Sequence, residues 1–138
     1  MTTLVDVKRF LISRMKSDTA IVAALPIARK DDIREIEWQG TDFGYPNIRV
    51  HVESFERHTP GVECKLFDVA ANILVFAEDA SSLKADTIAS VIWDALDTKT
   101  IGSNSIKLLN IKAKHFGAMW VSEAGLWRSE IVLGFQAS

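Results

Sequence analysis

The chain is 138 residues long, 48% hydrophobic and 25% charged, with a formal net charge of −2 and a sequence pI near 5.9. That length fits one domain with one core, and no apolar run approaches the roughly 20 residues that span a bilayer. The mild acidity argues against a general nucleic-acid binder, which concentrates basic residues on one face.

Met1 to Phe10 already holds Asp6, Lys8 and Arg9, so the start of the chain reads as no signal peptide. Thr2 or Thr3 caps a first helix running to about Lys16, with Leu4, Val7, Leu11 and Met15 on one face and Phe10 beside it. Asp18-Thr19 opens a short second helix, Ala20 to Leu25, which Pro26 stops. Arg29 to Trp38 is dense in charge and reads as either a short edge strand or a solvated connector. After a turn around Gly40, Gly44 and Pro46, Ile48, Val50 and Val52 alternate with Arg49, His51 and Glu53, the pattern of a half-buried strand. Glu56 to Gly61 is a polar hairpin loop with a Pro-Gly turn. The next strand reaches from about Val62 to Ala77, long enough to predict a hairpin projecting from the sheet, and its apolar end from Val69 predicts burial on both faces.

Glu78 to Ser82 then offers hydroxyl caps for a helix whose Ala85, Ile88, Ala89, Ile92, Ala95 and Leu96 form one stripe. A turn at Gly102 to Ser105 precedes a strand from Ile106 to Ala113. Lys114 to Gly125 reads as a loop, and Leu126 to Phe135 as the last strand, with Trp127, Ile131, Leu133 and Phe135 on one face and Arg128 and Glu130 on the other. The fold class expected is α+β: one mixed or antiparallel sheet with a long projecting hairpin, packed by the amino-terminal helix and a second amphipathic helix, as a single domain over 1–138.

Chemistry is sparse. His51, His58 and Cys64 surround one hairpin, but their spacing matches no zinc module and a fourth ligand is missing. Cys64 has Glu63 and Lys65 as neighbours and no positioned base, so it is expected to be an inert thiol; being the single cysteine, it also excludes an internal disulfide and fits a reducing compartment. Glu53, Glu56 and Glu63 read as solvated loop acids, and the scattered glycines form no phosphate cradle. From Thr98 to Ser122 there is no carboxylate, while Lys99, Lys107, Lys112 and Lys114 form a basic stretch suited to the acidic surface of a neighbouring chain or to water. A mean hydropathy of +0.10 likewise suggests surface buried against other subunits. Trp93 and Trp127 are expected in the core. Phe116, Met119 and Trp120 form an apolar cluster suited to a contact. No catalytic residue, cofactor site or metal site is expected.

With a helix at the amino terminus, Tyr45-Pro46 before a strand, a long hairpin ending in Asn72-Ile-Leu-Val-Phe76, the Ala85 to Leu96 stripe and two closing strands ending at Phe135, nearly the whole chain resembles the tail-terminator (tail-completion) proteins of tailed bacteriophages. The resemblance implies a non-enzymatic virion protein of the tail or neck, assembled in the host cytoplasm. It would form a ring, a homo-hexamer, that caps the tail tube, stops its polymerisation and docks the head. The implied partners are other copies of the chain, the tail tube protein, a head-closure or neck protein and the tail sheath, with DNA passing non-specifically through the lumen and no membrane contact. Subunit or tube contacts are expected at Phe55, Glu56, Arg57 and His58 on the hairpin tip and at Phe116, Met119 and Trp120. The competing readings are another neck component, such as a head-closure or connector protein, and a small-ligand-binding α+β domain with a pocket between sheet and helix.

Overall fold

The first two helices begin where a short polar side chain takes up orphan amides. The computed structural model describes residues 2–38, 44–59 and 65–138. Helix α1 (Leu4–Ser17) starts at Thr3, whose hydroxyl accepts the Asp6 N–H at 3.2 Å while the Asp6 carboxylate accepts the Thr3 N–H at 2.9 Å. Those hydrogen bonds from Thr3 hold the Asp6 carboxyl below its usual range. Val7, Leu11 and Met15 are fully buried. Asp18 closes α1 and opens α2 (Thr19–Ala24), its carboxylate accepting from the Ala20 and Ile21 amides at 3.0 and 3.1 Å. Beyond Pro26 a 3-10 turn, Ile27–Arg29, leads into β1 (Ile33–Glu35), so the charged segment is an edge strand.

The remaining elements are β2 (Asn47–Arg57), β3 (Phe67–Ala77), α3 (Leu83–Leu96), β4 (Ile101–Gly102), β5 (Lys107–Val121) and β6 (Leu126–Ala137). They form a six-stranded sheet in the order β1-β2-β3-β6-β5-β4, with β1 parallel to β2 and every other pair antiparallel. This is an α+β fold with a mixed sheet. Ile48, Val50 and Val52 of β2, Ile73 and Val75 of β3, and Ile131 and Leu133 of β6 meet Ile88, Ile92 and Leu96 of α3 in one apolar cluster. That cluster fills the space between sheet and helices, where the competing ligand-binding reading placed a pocket.

The extents and burial of the later strands depart from the sequence reading in three places. On β3, Asp68, Ala70, Asn72 and Phe76 are half-buried, because the helices cover one face of the sheet and, among the described residues, no second layer covers the other. Among the described residues this strand runs from Phe67; the expected start at Val62, the Pro60-Gly61 turn and Cys64 lie outside them. Most consequentially, Lys114 to Val121 is not a loop but the far half of β5, and the turn before β6 spans only 122–125, with Gly125 at φ +66°. Two register shifts, between Leu109 and Lys112 and between Phe116 and Met119, disturb the alternation, and nothing past Ala113 on β5 is fully buried, so no period marks this half as a strand. Asn110 sits at φ +52° in the first shift, a conformation asparagine tolerates better than most residues.

The longest hairpin is therefore β5–β6. Registers align Arg57 of β2 with Phe67, Phe67 with Ala137, and Ala137 with Leu108 of β5. The β2–β3 turn thus lies at one end of the sheet and the β5–β6 turn at the other.

Candidate assembly surfaces

Asp32 on the approach to β1 is 4% exposed and Arg49 on β2 is 6% exposed, the reverse of the outward placement that strand alternation suggested for Arg49. Arg49 Nη1 donates to Asp32 Oδ1 at 2.7 Å, to the Asp32 carbonyl at 3.3 Å and to the Ile48 carbonyl at 3.0 Å. Arg29 Nη1 reaches the other carboxylate oxygen at 3.1 Å, and Arg34 Nε lies 3.4 Å from the first. The Arg34 guanidinium also lies 3.9 Å from the Trp38 ring centroid. This network rivets the short β1 to β2. Nearby, Glu37 pairs with Lys8 of α1 at 3.3 Å and lies 3.6 Å from His51 Nδ1. Its carboxyl is held below the usual range, first by a hydrogen bond from its own backbone amide and then by Lys8.

A second polar cluster joins residues far apart in the chain. Ser129 of β6 is fully buried, and its Oγ lies 3.1 Å from Asp86 Oδ1, 3.1 Å from the Phe116 carbonyl and 2.9 Å from His115 Nε2. Asp86 also accepts the Ala118 N–H at 2.8 Å. The residue types are those of a hydrolase triad, but the geometry differs. The same His115 Nε2 that meets Ser129 lies 3.6 Å from Asp86 Oδ1, so the carboxylate does not orient the imidazole from its other nitrogen as a triad requires. With the hydroxyl wholly buried, a substrate carbonyl has no approach. The cluster is a bracket fastening the second register shift of β5 to the first turn of α3.

The expected interface residues fall on opposite ends of the sheet. At the β2–β3 end, Phe55 is half-buried and stacks on Phe67 with centroids 4.6 Å apart, while Glu56, Arg57 and His58 are exposed. His58 Nδ1 lies 3.1 Å from Asp68 Oδ2, and Gln136 Nε2 approaches the same carboxylate at 3.3 Å. His51 is therefore engaged with Glu37 and His58 with Asp68, and no three His, Cys, Asp or Glu side chains gather as a metal site among the described residues.

At the β5–β6 end, Phe116, Met119 and Trp120 are 43%, 65% and 50% exposed, but they do not form one patch. Phe116 pairs across β6 with Glu130 and Met119 with Arg128, residues of one sheet face, whereas Trp120 pairs with Trp127 on the other. The two tryptophan rings meet edge-on at 5.3 Å. Trp93, expected in the core, is 37% exposed at the sheet margin, where its Nε1 donates to the Ala113 carbonyl at 2.9 Å.

The sheet margins are treated unevenly. β1 covers β2 only over Ile48 to Val50, and β4 covers β5 only over Lys107 and Leu108. The Ala113 N–H is capped by Asp97 Oδ1 at 2.9 Å, as its carbonyl is by Trp93. Past Val50, β2 pairs only with β3, and past Ala113, β5 pairs only with β6, among the described residues.

No protein-family model and no curated protein matches this sequence. Among solved structures, the fold is similar to that of a chain from the virion of a native gene transfer agent (GTA) particle. The TM-score is 0.73 at 15% sequence identity, over 92% of this chain and 90% of that one. At that identity the likeness is one of fold.

Proposed function

We propose that this chain is a structural virion protein: a tail terminator that forms a homo-hexameric ring on the finished tail tube, stops its polymerisation and presents the docking face for the head. The observation that carries this reading is the near full-length fold likeness to a chain of a phage-like particle. Two features of the molecule support it. The space between sheet and helices is filled by the apolar core cluster rather than by convergent polar groups. Exposed aromatics and open strand margins are what subunits of a closed assembly present to one another. Its partners are then other copies of itself, the tube protein, a head-closure or neck protein and the sheath of a contractile tail. DNA passes through the ring without specific contact. The GTA chain's description names its particle and no position within it, so a head-closure or connector role is the second reading.

The test is to assemble tail tubes with and without the protein and score tube length and end occupancy by negative-stain microscopy. Capped tubes of uniform length in its presence, and overlong tubes in its absence, are expected. Tubes of normal length without the protein, with free heads lacking tails, would move the assignment to the second reading. A protein that stays monomeric even when mixed with tubes would end the terminator reading.

A further inference from the structure

We infer that successive copies of this chain join by strand addition, the far half of β5 on one copy pairing antiparallel with the far half of β2 on the next. The inference rests on the ring reading above and identifies the surfaces that would form it. A strand margin with unpaired N–H and C=O groups is a template for another chain, and folds blunt it unless it is used. Here the blunting is selective. β1 closes one half of the β2 margin, and β4 with the Trp93 and Asp97 side chains closes one half of the β5 margin. Val52 to Arg57 and Lys114 to Val121 have a strand partner on one side only among the described residues, the Ala118 N–H being taken by Asp86.

These two open stretches complement each other in charge. Glu53 and Glu56 against Arg57 leave the β2 stretch acidic and exposed. On β5, Lys114 begins the open stretch and Lys112 lies just before it, both exposed in a segment free of carboxylates from Thr98 to Ser122. Because they lie on opposite margins of one sheet, their pairing is head-to-tail and propagates from copy to copy, as a ring requires. Direction agrees as well, since β5 runs antiparallel to β2 within one molecule and would do so between molecules of the same orientation. The open halves also lie at opposite ends of the sheet, so each copy must sit displaced along the strands from its neighbour. Strands tilted and displaced in this way are what let a sheet close on itself.

The test uses two variants of the full chain, Lys112→Glu with Lys114→Glu and Glu53→Lys with Glu56→Lys. Each places like charges on both members of the pair, and each leaves the core untouched, which circular dichroism checks. Native mass spectrometry is expected to find the ring population of each variant alone reduced by about tenfold or more, because like charges set against each other in a contact are strongly disfavoured. Mixed one to one, the variants should form rings of alternating composition at the wild-type level, since every junction then carries opposite charges. Rings from either variant alone at wild-type yield, or no recovery on mixing, would overturn strand addition while leaving the ring itself standing. A wild-type chain that forms no ring alone or on tubes would remove both readings.

Discussion

Asp32→Asn isolates the contribution of the buried network with almost no change in volume. In the native protein the Asp32 carboxylate compensates Arg49, a guanidinium only 6% exposed. Breaking a buried pair from one side costs about 3–5 kcal/mol, because it strands a desolvated charge. Arg49 keeps its donations to the Asp32 and Ile48 carbonyls, and the asparagine oxygen still accepts, so a loss near the lower figure, about 3 kcal/mol, is expected. Arg29 and Arg34 are partly solvated, and losing their ion pairs adds about 1 kcal/mol or less each. Against a total stability of about 5–15 kcal/mol the loss is easily read from urea unfolding followed by tryptophan fluorescence, with an unchanged m-value as the check that both states are comparable. Adding Arg49→Met should recover most of it, since an apolar pair of similar volume can replace a buried ion pair. A loss below about 1 kcal/mol for Asp32→Asn, or no recovery in the double variant, would refute the claim that this network secures β1.

Ile92 is fully buried where α3 meets the sheet, so Ile92→Ala should cost about 2–5 kcal/mol, with a value under 1 kcal/mol denying that this helix face is packed. Trp120→Ala should leave far-UV circular dichroism unchanged yet weaken ring or neck association by about 2 kcal/mol in titrations followed by sedimentation, as loss of an anchoring aromatic does; a wild-type yield of complete particles would dismiss the site. His58→Ala and Cys64→Ser should retain assembly, and stoichiometric zinc whose removal unfolds the protein would contradict this. The folded Asp6 carboxyl titrates below the usual carboxylate range, so its contribution is present above that range and is lost as pH falls through the folded pKa. Thr3→Ala should therefore flatten the acid side of the stability curve, and a curve parallel to wild type would contradict the cap.

The helices were legible because their signals are local. Thr3, Asp18 and Pro26 mark boundaries within a few residues of what they control, and the Ile88 to Leu96 stripe repeats at helical period. Ile48, Val50 and Val52 identified β2 for the same reason. What escaped depends on partners distant in sequence. Arg49 looks like an outward strand residue until Asp32, 17 residues earlier, folds against it. Ser129, His115 and Asp86 carry no joint pattern, lying 14 and 43 residues apart. The far half of β5 keeps its conformation through hydrogen bonds to β6 rather than through burial, so hydrophobic periodicity had nothing there to report.

The Asp86 bracket has a consequence for the energetics of association. A strand paired on one side only, as the far half of β5 is among the described residues, would ordinarily fluctuate, and any partner would have to bear the entropy of stilling it. Here one carboxylate on α3 grips both strands, through the Ala118 amide and the Ser129 hydroxyl. The hairpin root therefore moves with the helix and core rather than with the solvent-exposed tip. Phe116, Met119 and Trp120 are presented in advance on a braced outer strand, and more of whatever they gain on contact remains as affinity.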